Sequence, residues 1–230
     1  MTWQKEFKIK IEIKTGIVPR NTGTQISLVR HGSVHNPSYI FYGRLPGFSI
    51  STRGRTEAAR TAQALKDFTI ASIYSSPLLR CRQTADEILK HHPRLKFRIS
   101  TLITEVFTPF QGQPADVIDA RNGDVYTGTG SEYEQPEDIL NRIQTFLFRT
   151  RKQFPGKHVV AVTHGDVIFF TVLWAKHFPA TVQNKKKFST LGILNEYPST
   201  SSITTLSYTT DLKDERPSVA YFNPMIHLPL

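Results

Sequence analysis

The sequence contains a single cysteine, Cys81, so no disulfide can form within one chain. It has no apolar run long enough to cross a bilayer, because the longest, residues 167–175, is short and interrupted by Thr171. Residues 1–6 lack the apolar core of a secretory signal peptide. These absences favour a soluble protein of a reducing compartment with no membrane span, and we expect a cytoplasmic location.

Acidic residues are few compared with basic ones. The 230 residues include 29 Lys and Arg against 19 Asp and Glu, a formal net charge of +10. This excess favours an anionic partner, which is nucleic acid, a membrane surface or a phosphorylated small molecule. Because the basic residues are scattered and few aromatic residues lie between them for base stacking, we expect no nucleic acid partner. Hydrophobic residues make up 39%, enough for a sizeable core, which excludes disorder as the main state.

Patterns typical of strands and helices alternate along most of the chain. The predicted strands are residues 26–29, 71–74, 97–99 and 158–162, followed by a hairpin of residues 202–208 and 217–222. The predicted helices are residues 51–68, 76–91 (with Ser76 as N-cap and Pro77 as first helical residue), a helix from Pro136, and residues 167–177. Alternation of this kind predicts an α/β fold, a single three-layer α/β/α domain with a mostly parallel central sheet.

The N-terminus adds one further element to this prediction. Residues 7–13 alternate apolar and charged side chains, which indicates a half-buried strand. A stretch typical of a linker follows at residues 19–24. We therefore predict that residues 1–24 form an extension whose strand pairs with an edge of the sheet, and that residues 25–230 form the main domain.

Three of the predicted strands lead to residues that could bind phosphate. The first leads to Arg30 and His31, the second to Arg80, and the fourth to His164. Ligands of open α/β sheets bind outside the carboxyl ends of the strands, so these side chains meet in one crevice if the strands are neighbours. Guanidinium groups match phosphate oxygens, and imidazole can act as a nucleophile near neutral pH. The pattern predicts a site for phosphate chemistry.

Several segments resemble the signature blocks of the histidine phosphatase superfamily, the phosphoglycerate mutase-like group. They are residues 30–32 (RHG), 42–51 (YGRLPGFSIS), 76–85 (SPLLRCRQTA) and 162–165 (VTHG). Residues 202–204 and 222–228 resemble the C-terminal hairpin and end of the family. A lone Arg-His-Gly is a weak signal, but several blocks in order at reasonable spacing are a specific one. The resemblance covers residues 26–230.

The resemblance implies a role for each residue of the predicted site. His31 would attack phosphorus in line and carry the phosphoryl group, while Arg30, Arg80 and His164 would hold the equatorial oxygens. Glu105 occupies the place of the family's carboxylate, which protonates the leaving oxygen and then activates water. The resemblance implies neither a metal nor another cofactor.

The resemblance also implies residues at the substrate entrance. Asn36 corresponds to a phosphate-contacting asparagine of the family, Tyr42 and Gly43 would line the entrance, and Arg44 follows them. Asn36 and Arg44 could instead simply fix their loops. The chain departs from the family after Glu105, where the loop is apolar and aromatic, and this favours a phosphomonoesterase over a mutase.

Some residues of interest keep a second interpretation. Glu132 and Glu134 could replace Glu105 as the acid. His35 has no third metal ligand at a recognisable spacing, so we expect no metal site there. Cys81 lacks the arginine that a cysteine phosphatase carries six positions later, and we predict that it is a small core residue.

The predicted function is metal-independent hydrolysis of a phosphomonoester through a phosphohistidine, by a histidine phosphatase. The expected substrate is a small phosphorylated molecule, and a phosphoprotein is the alternative substrate. Two other functions also stay open: a phosphoglycerate mutase, which returns the phosphoryl group to its substrate, and a basic module that binds nucleic acid or anionic lipid.

Overall fold

The computed structural model of the chain describes residues 23–192 and 197–227. The strands of this part are β1 (Gln25–Arg30), β2 (Ile70–Ser75), β3 (Phe97–Ile99), β4 (His158–Thr163), β5 (Ile203–Ser207) and β6 (Ser218–Phe222). Its helices are α1 (Thr52–Leu65), α2 (Leu79–Leu89), α3 (Ala115–Ala120), α4 (Pro136–Gln153), α5 (Gly165–Ala175), α6 (Val182–Lys186) and α7 (Pro224–His227). Short 3₁₀ turns lie at Thr101–Ile103 and Phe188–Thr190. No helix within these ranges is both long and apolar enough to cross a membrane.

The six strands form one sheet in the order β3-β2-β4-β1-β5-β6. β1 and β2 both pair in parallel with β4, and β3 pairs in parallel with β2. β5 is antiparallel to β1 and to β6, so it alone runs against the other described strands. This topology confirms the prediction of a single α/β domain with a mostly parallel sheet. The predicted strand at residues 7–13 lies outside the described residues, so the boundary at residue 24 stays a prediction.

Both faces of the sheet are covered by helices. Side chains of β1 alternate between the faces: Ile26 and Leu28 pack with α4 and α5, whereas Val29 packs with α1 and α2. Every residue of α5 is buried, which explains why this helix is apolar all round instead of amphipathic. The arrangement confirms the predicted three layers.

The predicted start of α2 is wrong. The helix begins at Leu79, not at Pro77, and Ser76 is not its N-cap. Ser76 still belongs to the sheet edge, because its N–H donates to the Val162 carbonyl over 2.9 Å and its hydroxyl lies 2.8 Å from His164 Nε2. The short helices α3, α6 and α7 are not predicted either, because they are too brief to show a periodicity.

The loop after β1 rests directly on the first turns of α1. A Cβ at Gly32 would lie 2.5 Å from the Gly54 carbonyl oxygen, and a Cβ at Gly54 would lie 2.1 Å from the Ser33 carbonyl oxygen. The buried Glu57 carboxylate accepts hydrogen bonds from the Ser33 N–H (2.8 Å) and hydroxyl (2.8 and 2.9 Å). These contacts fix the loop that carries His31.

Gly54→Ala should reverse the usual effect of this substitution in a helix. Alanine ordinarily stabilises a helix by about 0.5–1 kcal/mol relative to glycine. Here the methyl group would overlap the Ser33 carbonyl, so the free energy of unfolding should fall by about 1–3 kcal/mol. Urea denaturation would measure the change, with Thr56→Ala at an exposed position of the same helix as the control. An equal or higher stability of Gly54→Ala would contradict this packing.

Candidate active site

His31 follows β1 directly and is buried at the carboxyl edge of the sheet. Its Nδ1 lies 2.9 Å from the Gly32 carbonyl oxygen. Because a carbonyl can only accept, Nδ1 carries the proton and Nε2 keeps its lone pair. Burial, followed by the charges of Arg80 and Arg30, lowers the pKa of His31 well below its ordinary value. His31 is therefore a neutral imidazole with a free nitrogen at neutral pH, as a nitrogen nucleophile must be.

His164 follows β4 and lies beside His31. The two ring centroids are 5.3 Å apart in an edge-to-face arrangement. Arg80 donates from Nη2 to Nδ1 of His164 over 3.2 Å, so the proton of this ring lies on Nε2, which lies 2.8 Å from the Ser76 hydroxyl. Burial and the charge of Arg80 lower the pKa of His164 well below its ordinary value. Both imidazoles are neutral.

Two guanidinium groups provide positive charge at this edge. Arg80, in the first turn of α2, is fully buried, donates to the Gly43 carbonyl over 2.8 Å, and lies over the Tyr42 ring. Arg30 donates to the Pro198 carbonyl over 2.7 Å. The Nε atom of each arginine is buried and has no acceptor among the described residues. Buried N–H donors of a charged group are normally satisfied, so the pair is suited to binding an anion.

Glu105 is the carboxylate that reaches the two histidines. It follows the 3₁₀ turn Thr101–Ile103, and its Oε2 lies 3.4 Å from His164 Nδ1 and 3.8 Å from Arg80 Nη2. Burial raises the pKa of the Glu105 carboxyl above its ordinary value, although the charge of Arg80 opposes part of the shift. A carboxyl that holds its proton more readily than usual is suited to general acid catalysis.

The two other carboxylates considered for this role lie elsewhere. Glu134 pairs with Arg44 over 2.7 Å and with Arg142 over 2.8 Å. These two arginines in turn donate to the Glu105 carbonyl, over 2.6 and 3.3 Å. Glu134 thus braces the loop that carries Glu105, whereas Glu132 is exposed.

The predicted entrance residues divide into two pairs. Tyr42 and Gly43 line the cavity described below, and Gly43 has φ +40°, a conformation that favours glycine. Asn36 also lines it, but its amide donates to the Ile40 carbonyl over 2.9 Å and accepts from the Ile40 N–H over 3.3 Å. Asn36 and Arg44 therefore both fix loops, as the alternative interpretation has it, and their contact with substrate stays a prediction.

A cavity of about 950 Å³ is lined by three of the predicted catalytic residues, Arg30, His31 and Glu105. Its lining also includes Ile118, Asp119, Asn122, Lys185, Lys186 and Phe188. Residues of the short helices α3 and α6 thus share one cavity with the predicted nucleophile and acid.

The cavity also contains a buried group that no sequence pattern predicts, Asp166. Its carboxylate accepts from the hydroxyls of Tyr126 (2.5 Å) and Tyr197 (2.6 Å) and pairs with Lys185 Nζ over 2.7 Å. Burial alone would raise the pKa of Asp166, but Lys185 and the two phenols outweigh it and hold the pKa below its ordinary value. An acidic residue at the start of a helix is ordinarily explained by its favourable interaction with the helix dipole. The three side chains that contact Asp166 are too distant in sequence for a local pattern to reveal the cluster.

The same groups also satisfy the donor pattern of a metal site. One ligand atom from each of His31, Glu105 and His164 lies within 4.8 Å of the others. The guanidinium of Arg80, however, lies 3.2 Å from His164 Nδ1 and 3.8 Å from Glu105 Oε2, where a metal ion would bind. A fixed positive charge at that place favours an anion over a cation.

The sequence profile of the histidine phosphatase superfamily (branch 1) matches residues 26–195, and the chain belongs to this family. This finding confirms the resemblance drawn from the sequence blocks and the prediction of a histidine phosphatase.

Individual relatives agree with the family. The chain is similar to the uncharacterized protein Rv0525 of Mycobacterium tuberculosis, with 37% identity over 148 residues that cover 61% of this chain and 73% of that protein. It is 27% identical over 148 residues to an uncharacterized phosphatase, PhoE, of Bacillus subtilis, covering 63% of this chain and 74% of that one. A mycobacterial glucosyl-3-phosphoglycerate phosphatase has a similar structure, with a TM-score of 0.69, 22% identity, and coverage of 86% of this chain and 98% of that chain.

The neutral state of the buried histidines should make the protein less stable in acid. Below about pH 6.5 the unfolded chain binds protons on histidines whose folded pKa is lower, so the free energy of unfolding should decrease as the pH falls from about 7.5 to about 5. The loss should approach about 1.4 kcal/mol per pH unit for each such histidine. His31→Asn should flatten this dependence, because asparagine does not titrate and can still donate to the Gly32 carbonyl.

Urea denaturation at a series of pH values would measure this slope. The control is His35→Asn, at an exposed position four residues along the chain. If His31→Asn and the wild type lost stability equally on acidification, His31 would not be the buried neutral group that the geometry indicates.

Proposed function

We propose that the protein hydrolyses small phosphomonoesters without a metal ion, through a phosphohistidine formed on Nε2 of His31. The observation that carries this proposal is the neutral, buried His31 imidazole. Its Nδ1 proton is held by the Gly32 carbonyl, and it lies beside two guanidinium groups whose Nε donors lack acceptors among the described residues. A phosphoryl group would satisfy these donors.

In the first step of the proposed reaction, Nε2 of His31 attacks phosphorus and the bond from phosphorus to the alcohol oxygen breaks. Glu105 gives its proton to that oxygen, so the alcohol leaves uncharged. Arg30 and Arg80 hold the phosphoryl oxygens and stabilise the charge of the transition state, while His164 positions Arg80 by accepting from its Nη2 at Nδ1. The phosphorylated ring gains positive charge, which the hydrogen bond from Nδ1 to the Gly32 carbonyl stabilises.

In the second step, water attacks phosphorus and the phosphorus–nitrogen bond breaks. The Glu105 carboxylate takes a proton from the water, which restores the acid, and inorganic phosphate leaves with His31 neutral again. The same carboxyl thus serves both steps, and the atoms and protons balance over the cycle.

Two further observations support a phosphatase for small molecules. Two relatives are named phosphatases, one of them for glucosyl-3-phosphoglycerate. His31 is only 2% exposed, which favours a small ester that can enter the cavity over a phosphorylated residue on a protein surface. A phosphoglycerate mutase is the second candidate, and strict dependence on a bisphosphoglycerate primer would identify it. The cytoplasmic location and the absence of a nucleic acid partner stay predictions.

His31→Ala should abolish the hydrolysis of p-nitrophenyl phosphate, because it removes the imidazole that takes up the phosphoryl group in the proposed first step. His35→Ala, which removes an exposed histidine four residues away, should keep wild-type turnover. Release of nitrophenolate would be followed with and without EDTA, and acid-labile ³²P labelling of the protein would detect the phosphohistidine.

Each arm of this experiment can contradict part of the mechanism. Turnover that persists in His31→Ala would overturn the nucleophile, and turnover lost in EDTA would show that a metal ion is required. A failure to hydrolyse a panel of phosphomonoesters, with activity restored only by a bisphosphoglycerate primer, would favour the mutase.

Glu105→Gln should slow the hydrolysis of esters with a poor leaving group far more than the hydrolysis of esters with a good one. An alkyl alcohol needs protonation as it leaves, and losing general acid catalysis typically costs about 10²–10⁴-fold. Nitrophenolate leaves without a proton, so p-nitrophenyl phosphate should lose much less in the phosphorylation step. Values of kcat/KM for both esters would be compared with those of Glu132→Gln, the exposed alternative acid. Equal losses for the two esters in Glu105→Gln would argue against Glu105 as the acid.

A further inference from the structure

We propose that the part of the cavity lined by residues of α3 and α6 is a subsite for the alcohol portion of the substrate. It would take a ring-sized group that is uncharged or cationic and would disfavour a second phosphate or a carboxylate. This inference rests on the proposed phosphomonoesterase, which it deepens by naming the class of alcohol. We call this part of the cavity the alcohol subsite and define it by Tyr39, Ile118, Asp119, Lys185, Lys186 and Phe188.

The size and walls of the cavity are suited to a ring. Its volume of about 950 Å³ is at the upper end of the range for sites that bind drug-sized ligands. Ile118 and Val125 provide apolar walls, and the rings of Phe41, Phe188 and Tyr39 also line it. Aromatic and aliphatic walls stabilise a ring by burying its faces.

The charges of the alcohol subsite are paired in a way that excludes an anion. Lys185 and Lys186 are the lysines of its lining, but Lys185 Nζ pairs with Asp166 over 2.7 Å and Lys186 Nζ with Asp124 over 2.9 Å. Asp119 also lines the cavity. With Asp124 counted as the partner of Lys186, although it lies outside the lining, three carboxylates stand against two ammonium groups and leave one net negative charge.

The remaining carboxylate is not compensated by a cation within the described part of the chain. Asp119 Oδ2 accepts from the neutral Tyr39 hydroxyl over 2.7 Å, and no ion pair joins it to a basic side chain there. Lys185 Nζ also donates to the Gly123 carbonyl over 3.0 Å, and a ligand carboxylate that shared either ammonium group would lie beside the aspartate already bound to it. An anionic alcohol portion therefore meets repulsion where a cationic one meets attraction.

The wall that carries this charge is held in place before substrate binds. The Phe41 N–H donates to the Gln113 carbonyl over 2.7 Å, and the Ala115 N–H donates to the Tyr39 carbonyl over 2.8 Å. Tyr39 itself has φ +45°, a strained value for a residue with a side chain, and its hydroxyl is fixed by Asp119. The loop and α3 are thus joined at both backbone and side chain, and Asp119 faces the cavity from a fixed position.

Three aryl phosphates with the same reacting centre would test the subsite. Each is a phenyl phosphate with a two-carbon para substituent that ends in methyl, ammonium or carboxylate. The phenols are of similar acidity, so differences in kcat/KM report on the alcohol portion. We expect the methyl and ammonium esters to exceed the carboxylate ester by about tenfold, the effect of about one charge across a partly solvated cavity.

Asp119→Lys should raise kcat/KM for the carboxylate ester about tenfold or more relative to the ammonium ester, a gain that misfolding cannot mimic. The matched control is Asp116→Lys, which makes the same charge change at an exposed position of α3 outside the cavity lining and should leave the ranking unchanged.

The outcomes separate the subsite from the reaction. If the wild type prefers the carboxylate ester or treats the three esters alike, or if the two lysine variants change the ranking equally, the subsite is overturned and the proposed phosphatase stands. If p-nitrophenyl phosphate is hydrolysed but none of the three esters is, the subsite alone is overturned; if p-nitrophenyl phosphate is not hydrolysed either, the proposed function is overturned, and the subsite with it.

Discussion

The parallel pairing of β1 with β4 is the constraint on which the site depends. In its register Arg30 lies opposite Thr163, so His31 and His164 leave the sheet side by side. β2 pairs with the other side of β4 and brings Ser76 to the second imidazole. A slip of one residue in either ladder would turn these side chains to opposite faces, because side chains alternate along a strand. The core that covers both faces of the sheet therefore fixes the catalytic geometry as well as the fold.

Burial and two guanidinium groups together decide the chemistry that this geometry allows. Burial, followed by the charge of Arg80, lowers the pKa of both His31 and His164, which keeps a nucleophilic nitrogen on His31, and Arg30 and Arg80 provide the charge that the proposed phosphoryl transfer needs. The cost of burying the Arg80 cation is offset only in part by Glu105, whose own burial raises its pKa. In the proposed reaction, a dianionic phosphoryl group would complete the compensation. The proposal thus derives the anion, the neutral nucleophile and the proton of the acid from one imbalance of charge.

Local sequence features predict the parts of this protein that depend on local physics. The apolar runs of β1 and β4, and the motif residues His31, Arg80 and His164 at strand ends, are visible because strands bury apolar runs and bind ligands at their carboxyl ends. The start of α2 is not visible in the sequence, because the Ser76 N–H donates to the Val162 carbonyl of β4, which is distant in sequence, and this hydrogen bond overrides the preference of serine for a helix N-cap. The Asp166 cluster joins residues 19 to 40 positions apart through contacts that only the folded chain creates.

The net charge of the chain is a poor guide to the charge of its site. The excess of ten positive charges favours anions in general, yet the two lysines of the cavity lining are paired with aspartates and contribute little free charge. Positive charge without a full counterion remains at Arg30 and Arg80, next to the nucleophile. In the proposed reaction a single phosphoryl group would satisfy it, and a second anion on the same molecule would meet lysines that are already paired with aspartates. The proposed selectivity therefore follows from which cations are already paired, a property of tertiary contacts that no count of basic residues contains.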